Sequence, residues 1–300
     1  MASKKTKSTP KEKVVDKDVE IEVRTRMSLI RTLVEMYYDF QKQRIMTNNR
    51  ISMNCERNGI TDAELGMFGV KSIQADAEKF EKDLKKLITQ SIKDVPIYRD
   101  YLKKITGIGE ILAAGLVAYI DDVSKFDNIS KLWQYAGYGM NRYCETCKAP
   151  TFELRKYEKK TAKKMKPMEK CNECGEHTVP IIQQRRVGYM SNWNDNLKKI
   201  TWLATQSFLK QSADSAGYRG IYDNVKPKER EKHPEKQVVN KKTFYNDGHI
   251  HNRSLRKVGK VFLANLWLQW REMEGLPVSE PYLIHKNPAH NMIQPFTDKS

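Results

Sequence analysis

The chain has 300 residues, and its 54 Lys and Arg against 37 Asp and Glu give a formal net charge of +17. A hydrophobic content of 39% with 9 Phe, 14 Tyr and 5 Trp supports a buried core and excludes a wholly disordered chain. The sequence has no apolar run of about 18 residues, so we expect no membrane-spanning helix. The excess of basic residues predicts a polyanionic partner, with nucleic acid as the first candidate and an anionic membrane surface or an acidic protein as the second.

Apolar periodicity and composition divide the N-terminal half into three segments. Residues 1–20 are Lys-rich with little to bury, and we expect a disordered basic tail. Residues 21–95 predict two long helices, at about 23–57 and 71–93, joined by a loop that contains glycine. This pattern favours an antiparallel helical hairpin or coiled-coil arm, which is also the candidate surface for a homo-oligomer. Residues 96–141 are rich in small and apolar side chains and predict a compact unit of short helices.

The C-terminal half predicts three further segments. Residues 142–190 form an insertion that carries cysteine pairs, and residues 191–275 supply the helices that complete the compact unit. Within the latter we expect one amphipathic helix over 192–222, a polar loop over 223–248 and a final helix over 249–273. Residues 276–300 are a tail. The predicted fold is mainly α.

Two Cys-x-x-Cys pairs form the strongest motif: Cys144 with Cys147, and Cys171 with Cys174. Two residues between thiolates let both sulfurs point inward from a tight turn, and two such turns complete the closed tetrahedral site that structural zinc prefers. The sequence predicts one structural Zn²⁺, while free thiols or a redox pair are the alternative. Paired cysteines of this kind favour a reducing, cytoplasmic compartment.

A second motif is a Gly-x-Gly turn between a basic stretch and an apolar helix. The pattern is typical of a helix-hairpin-helix, in which a tight turn presents backbone N–H groups at a helix N-terminus to a phosphate. A plain helix connection that ends on glycine is the alternative. The predicted nucleic-acid contacts here are Lys103, Lys104, Thr106, Gly107, Ile108 and Gly109.

Two further segments, 142–170 and 225–257, concentrate positive charge and carry interleaved aromatic residues. Such segments neutralise phosphates and stack on bases, although a charged run is often only a solvated surface. The predicted contacts are Arg155, Lys156, Lys159, Lys160, Lys163, Lys164, Arg253, Arg256 and Lys257. For the histidines His249 and His251 and the aspartates Asp121, Asp122 and Asp127 we favour structural roles such as helix capping over catalysis.

The order of features over 98–140 resembles the C-terminal domain of the insertion-sequence transposases of the one-ten/one-sixteen group, the RNA-guided recombinases. The shared features are the glycine hairpin, an alanine-rich helix, an aspartate turn and a helix that ends in Tyr135-Ala136-Gly137. Residues 194–200 are similar to a Leu-Arg-Arg stretch of that family, and the helix from residue 23 resembles its coiled-coil arm.

The resemblance implies a DNA-binding scaffold, and two departures bear on catalysis. We expect the RuvC-like domain with its four-carboxylate metal site to be lacking. The family's nucleophilic serine follows the Tyr-Ala-Gly helix, where this chain has its cysteine pairs, so Ser191 is the remaining candidate nucleophile.

The sequence therefore predicts a zinc-containing, transposase-like protein of a prokaryotic mobile element or virus that binds duplex DNA largely through the backbone. We expect it in the cytoplasm of the host, at the nucleoid or on viral DNA, and favour a non-enzymatic role. The alternatives are an active recombinase that uses Ser191 and an RNA-binding zinc-knuckle protein.

Overall fold

The computed structural model describes residues 17–144, 146, 170–171, 174–183, 191–212, 217–239, 242–279, 293 and 295. In this part of the chain the fold is mainly helical with two small two-stranded sheets, which confirms the predicted fold class. The longer helices are α1 (Lys17–Asn58), α3 (Val70–Ile92), α5 (Glu110–Ile120), α7 (Asp195–Leu209), α8 (Tyr218–Lys232) and α9 (Asp247–Met273). The shorter ones are α2 (Asp62–Met67), α4 (Pro96–Asp100) and α6 (Ile129–Tyr135).

Helices α1 and α3 pack against each other in antiparallel orientation. The Arg26 guanidinium donates to the Ser91 carbonyl at 2.9 Å, while Tyr37 and Arg44 donate to Glu81 farther along the pair. These contacts link increasing positions on α1 to decreasing positions on α3, which defines the orientation. Helix α1 begins at Lys17, inside the segment 1–20 that we predicted to be disordered, and residues 1–16 lie outside the described residues.

Helix α5 is the centre of the helical body. It is apolar on all sides, the pattern of a helix that is enclosed by others, and every residue from Ala113 to Ile120 is buried. Helices α1, α3 and α7 pack around it. Its small residues permit a close approach, because a Cβ on Gly115 would lie 3.0 Å from the Ile200 side chain of α7. The composition of 96–141 thus sets how tightly the helices pack.

The predicted single helix over 192–222 is wrong, because the structure divides this region between α7 and α8. Gly217 stands at the start of α8 and has a φ of +88°, a backbone conformation that favours glycine. The predicted loop over 223–248 is also wrong, since α8 continues to Lys232 and is followed by strands β3 (Gln237–Val239) and β4 (Lys242–Phe244). Helix α8 is stabilised by tertiary contacts, because Tyr218 and Tyr222 are buried at α9 in an otherwise polar sequence.

Helix α9 closes the helical body and agrees with the helix predicted over 249–273. Its Phe262 ring packs edge-on against Phe208 of α7 and Tyr218 of α8, each at 5.3 Å between centroids. Farther along, the Trp267 indole N–H donates to the Phe126 carbonyl at 2.7 Å. The final helix therefore fixes α7, α8 and the turn before α6 in one core.

An excursion between α6 and α7 carries the cysteine pairs. Strand β1 (Met140–Cys144) pairs antiparallel with β2 (Thr178–Ile182), so that Met140 lies opposite Ile182 and Cys144 opposite Thr178. The helices of the described residues include none with the length and apolar character needed to cross a bilayer.

Candidate nucleic-acid interface and metal centre

The glycine turn is anchored on its inner side and open on its outer side. Ile105 and Ile108 are buried, whereas Lys103 and Lys104 are exposed in the 3-10 turn before the glycines. Gly107 has a φ of +93°, and a Cβ there would lie 3.1 Å from the Phe208 ring of α7. Only glycine meets both conditions without strain, so this position is required for the turn to seat on α7.

The N-terminal end of α5 follows directly from this turn. Gly109 is the N-cap residue and provides no side-chain cap, and the space around its Cα is open. The first N–H groups of a helix have no intrahelical acceptor and carry the positive end of the helix dipole. Glu110 also stands in this first turn, with its carboxylate 3.8 Å from the Lys85 ammonium. The arrangement places two exposed lysines and an uncapped helix end in one loop, and Thr106 is half-buried beside them.

The three nucleic-acid contacts predicted in the second segment, Arg253, Arg256 and Lys257, all bind groups within the fold. Arg253 and Lys257 both bind Glu229, whose side chain is only 2% exposed. Burial opposes the charge of Glu229, but the hydrogen bonds from Lys257 and Arg253 outweigh it and lower the pKa to about 2. Arg256 donates to the carbonyls of residues 137–139, at 2.6 Å for Tyr138, and burial lowers the pKa of its guanidinium.

The predicted lysine contacts of the first segment lie outside the described residues. These are Arg155, Lys156, Lys159, Lys160, Lys163 and Lys164, and their role in nucleic-acid binding stays a prediction.

A groove that we did not predict lies between α7 and α9. Its volume is about 570 Å³, and it is lined by both tryptophans of the stretch 193–202, by polar residues and by three cations. Its walls come from distant parts of the chain: Tyr138, Trp193, Asp195, Asn196, Lys198, Lys199, Trp202, Asn252, Leu255 and Arg256.

Three of the four predicted zinc ligands lie together. Cys144 ends β1, Cys171 and Cys174 precede β2, and the three sulfurs lie within 4.8 Å of one another, with Cys144 Sγ 3.4 Å from Cys174 Sγ. Zn–S bonds of about 2.3 Å in a tetrahedral site put sulfurs roughly 3.8 Å apart. Cys147 lies outside the described residues. The cluster has the donors and spacing for a metal ion.

The second cysteine turn has the shape that such a site needs. Gly175 donates its backbone N–H to the Cys171 carbonyl at 2.8 Å and has a φ of +73°. Cys171 in turn donates to the Glu176 carbonyl at 2.9 Å. These bonds fold residues 171–176 tightly enough to bring Cys171 and Cys174 to one point, as the Cys-x-x-Cys spacing predicts.

Comparison with known families matches residues 99–140 to the family described as Transposase IS116/IS110/IS902. The similarity to transposases of this family therefore covers a short part of the 300-residue chain. The matched residues run from α4 through the glycine turn, α5 and α6 to the start of β1, which confirms the resemblance to this family over these residues. A search of curated proteins found no match to the chain.

The candidate nucleophile Ser191 lies just before α7. The Ser191 hydroxyl donates to the Asp195 carboxylate at 2.8 Å, and Asp195 lines the groove between α7 and α9. The catalytic role of Ser191 stays a prediction.

The histidines and aspartates that we assigned to structural roles make local contacts. His249 accepts from the Tyr245 backbone N–H at 2.8 Å, and His251 Nδ1 lies 2.6 Å from the Tyr222 hydroxyl. Burial lowers the pKa of both imidazoles. The carboxylate of Asp122 accepts from the Ser124 N–H and caps a short turn, while Asp121 and Asp127 each pair with a lysine four residues farther along the chain.

Proposed function

We propose that this transposase-like protein binds duplex DNA through the sugar–phosphate backbone, with the glycine turn over 102–110 as its principal contact. The observation that carries the proposal is the combination in this turn of two exposed lysines with the uncapped N-terminal end of α5. Backbone N–H groups and lysines hold phosphates without reading the base sequence. A location at the nucleoid of a prokaryotic host follows from this function.

The rigid seating of the turn supports the proposal. Ile105, Ile108 and Gly107 fix the inner side of the turn to the helical body, so the outer side is presented in a constant geometry. A preorganised turn loses little conformational entropy when it binds. This low cost matters here because the glycine turn has few groups with which to contact a phosphate. Binding by phosphate contacts alone is strongly salt-dependent, because each contact releases counterions.

The cysteine cluster has a structural part in this proposal. Cys144, Cys147, Cys171 and Cys174 would hold one Zn²⁺ in a closed four-thiolate site, with no open position for water. Such a site holds the base of the lysine-rich excursion in place, and Arg155, Lys156, Lys159, Lys160, Lys163 and Lys164 would extend the contact with DNA from there.

A salt titration with a matched pair of variants tests the proposal. The double variant Lys103→Gln/Lys104→Gln and the control Lys42→Gln/Lys79→Gln each remove two exposed lysines, from the turn and from the α1–α3 pair respectively. The affinity for a labelled duplex is measured by fluorescence anisotropy from low to high salt. The measured quantity is the slope of the logarithm of the binding constant against the logarithm of the salt concentration. We expect the magnitude of this slope to fall by roughly 0.9 per lost phosphate contact in the first variant and to stay at the parent value in the control.

Two outcomes contradict the proposal. One is an affinity of the parent protein that stays constant as salt is raised, and the other is an equal loss of affinity in both double variants. Structured RNA serves as competitor in the same assay, and preferential displacement of the duplex by RNA would favour the RNA-binding alternative instead.

A further inference from the structure

The groove between α7 and α9 combines aromatic and cationic side chains in a way that the duplex-binding turn does not. Trp202 stands on α7 with 46% of its surface exposed, unusual for so large an apolar side chain. Lys198, Lys199 and Arg256 line the same groove with Asp195 as the acidic member. An exposed indole beside excess positive charge fits a ligand that has both an aromatic ring and an anionic group.

The floor of the groove has a polar group that the described residues leave without an acceptor. Trp193 is 9% exposed, and its indole N–H is buried without a hydrogen-bond partner in this part of the chain. A buried donor that stays unpaired costs about 1–3 kcal/mol, so such groups usually meet an acceptor. The Trp193 ring is held in place, since a Cβ on Gly137 would lie 2.8 Å from its Cδ1 atom and the Lys198 ammonium lies 4.3 Å from the ring centre.

The polar lining favours a small charged ligand over an apolar protein segment. Asn196 and Asn252 face the groove beside the three cations, and a partner helix would have to desolvate all of them. The volume of about 570 Å³ lies in the range of roughly 300–1,000 Å³ that is typical of sites for small ligands.

We infer that this groove binds an unpaired nucleotide of a polynucleotide strand. The base stacks on the exposed face of Trp202, and the phosphate lies near the ammonium group of Lys198, beside the Trp193 ring. The inference rests on the proposed function, since it adds a single-strand site to a protein that holds duplex backbone elsewhere. Base–aromatic stacking tolerates any sequence because every base has a π-face.

The test measures the binding of labelled oligo(dT) and oligo(U), each of about 12 nucleotides, to the full chain by fluorescence anisotropy. Loss of one stacked base should weaken binding by about 5- to 150-fold in Trp202→Ala. Trp202→Phe keeps an aromatic face and should recover most of the affinity. The control Phe68→Ala removes a ring that is 83% exposed near the end of α2, away from the groove, and should bind like the parent.

The duplex assay separates this inference from the function on which it rests. Trp202→Ala should bind duplex DNA as tightly as the parent. In the Lys103→Gln/Lys104→Gln background, Trp202→Ala should still weaken single-strand binding. If duplex binding fails but Trp202→Ala still weakens single-strand binding, the groove assignment stands without the turn. If the parent does not bind either oligonucleotide, or if Trp202→Ala binds both as well as the parent, the groove is not a nucleotide site. Preference between the two oligonucleotides shows whether the strand is DNA or RNA.

Discussion

The helical body around α5 and the strand pair β1–β2 are held together in different ways. The body buries a continuous set of apolar side chains, and in α5 even the backbone is enclosed. The strand pair has two five-residue strands, and Met140 and Ile182 are 42% and 39% exposed at its base. An isolated two-stranded sheet is marginal in water, so its end needs another source of order. The three clustered cysteines lie at the end of β1 and in the turn that leads into β2, where a bound metal ion would hold the two strands together.

The largest effect on the stability of the helical body should follow from Phe262→Ala. Phe262 is fully buried against Phe208 and Tyr218, and loss of such a ring costs about 3–5 kcal/mol in transfer free energy and cavity formation. Chemical denaturation followed by far-UV circular dichroism measures the change. The control Phe80→Ala removes a ring that is more than half exposed on α3 and should cost much less. Equal losses in the two variants would show that the body does not depend on this core.

A smaller effect, and one that depends on pH, should follow from Glu229→Gln. The pKa of Glu229 lies at about 2 in the folded chain against an ordinary value of 4.5, so its charge stabilises the fold above pH 4.5. This contribution is lost as the pH falls from about 4.5 towards 2. At pH 7 the variant should be less stable by on the order of 2–3 kcal/mol, and the difference should vanish near pH 2.

The neighbouring acidic residue provides the matched control for this titration. Glu231 stands two residues later on α8 and is exposed, so Glu231→Gln should leave the unfolding free energy nearly unchanged from pH 7 to pH 2. A Glu229→Gln variant whose deficit stays constant over this range would show that the residue acts through packing and not through its charge.

The smallest effect on the helical body should follow from Cys171→Ser, although its effect on metal binding should be large. The substitution removes one thiolate from the cluster, so zinc measured by mass spectrometry should be lost from the purified protein. The unfolding free energy of the helices should change by less than about 1 kcal/mol, because the cluster lies outside their core. The control Cys55→Ser alters a cysteine of α1 and should keep the zinc.

A helical transition that shifts strongly on loss of zinc would contradict the separation of the two regions. Zinc retained by Cys171→Ser, or zinc absent from the parent, would contradict the ligand assignment.

The sequence pattern predicted those helices in which buried apolar residues recur at helical spacing. Helices α1, α3 and α9 each present a recurrent apolar face, and their predicted bounds agree with the structure except at the start of α1, which begins at Lys17 instead of near residue 23. Helix α8 could not be found in this way, because its sequence is rich in Lys and Glu and contains Pro227. Its buried contacts come from few positions, among them Tyr218, Tyr222 and the ion-paired Glu229. These contacts form with side chains of α9, so the sequence of α8 alone does not reveal them.

The same distinction holds for the sites. The cysteine cluster was predictable because both turns are defined by local spacing, and the structure brings Cys144, Cys171 and Cys174 together. The groove was not predictable from the sequence, because Trp193 and Trp202 come to lie near Arg256 through the packing of α7 on α9. Positive charge in the sequence likewise did not show that Arg256 would hold backbone carbonyls of the turn after α6.

The closed base of the β1–β2 excursion makes the segment between α6 and α7 an exchangeable module. Met140 pairs with Ile182, and Gln183 binds back to the Gly139 N–H at 3.0 Å and to the Gln134 carbonyl at 3.2 Å. The chain therefore leaves the helices near Gly139 and meets them again at Gln183, while α7 is positioned by its own packing on α5, α8 and α9. Insertions with closely spaced ends are the ones that proteins accommodate most readily. A gene that encodes this scaffold can gain, lengthen or replace such a loop in one event, so new specificity can be acquired without redesign of the core.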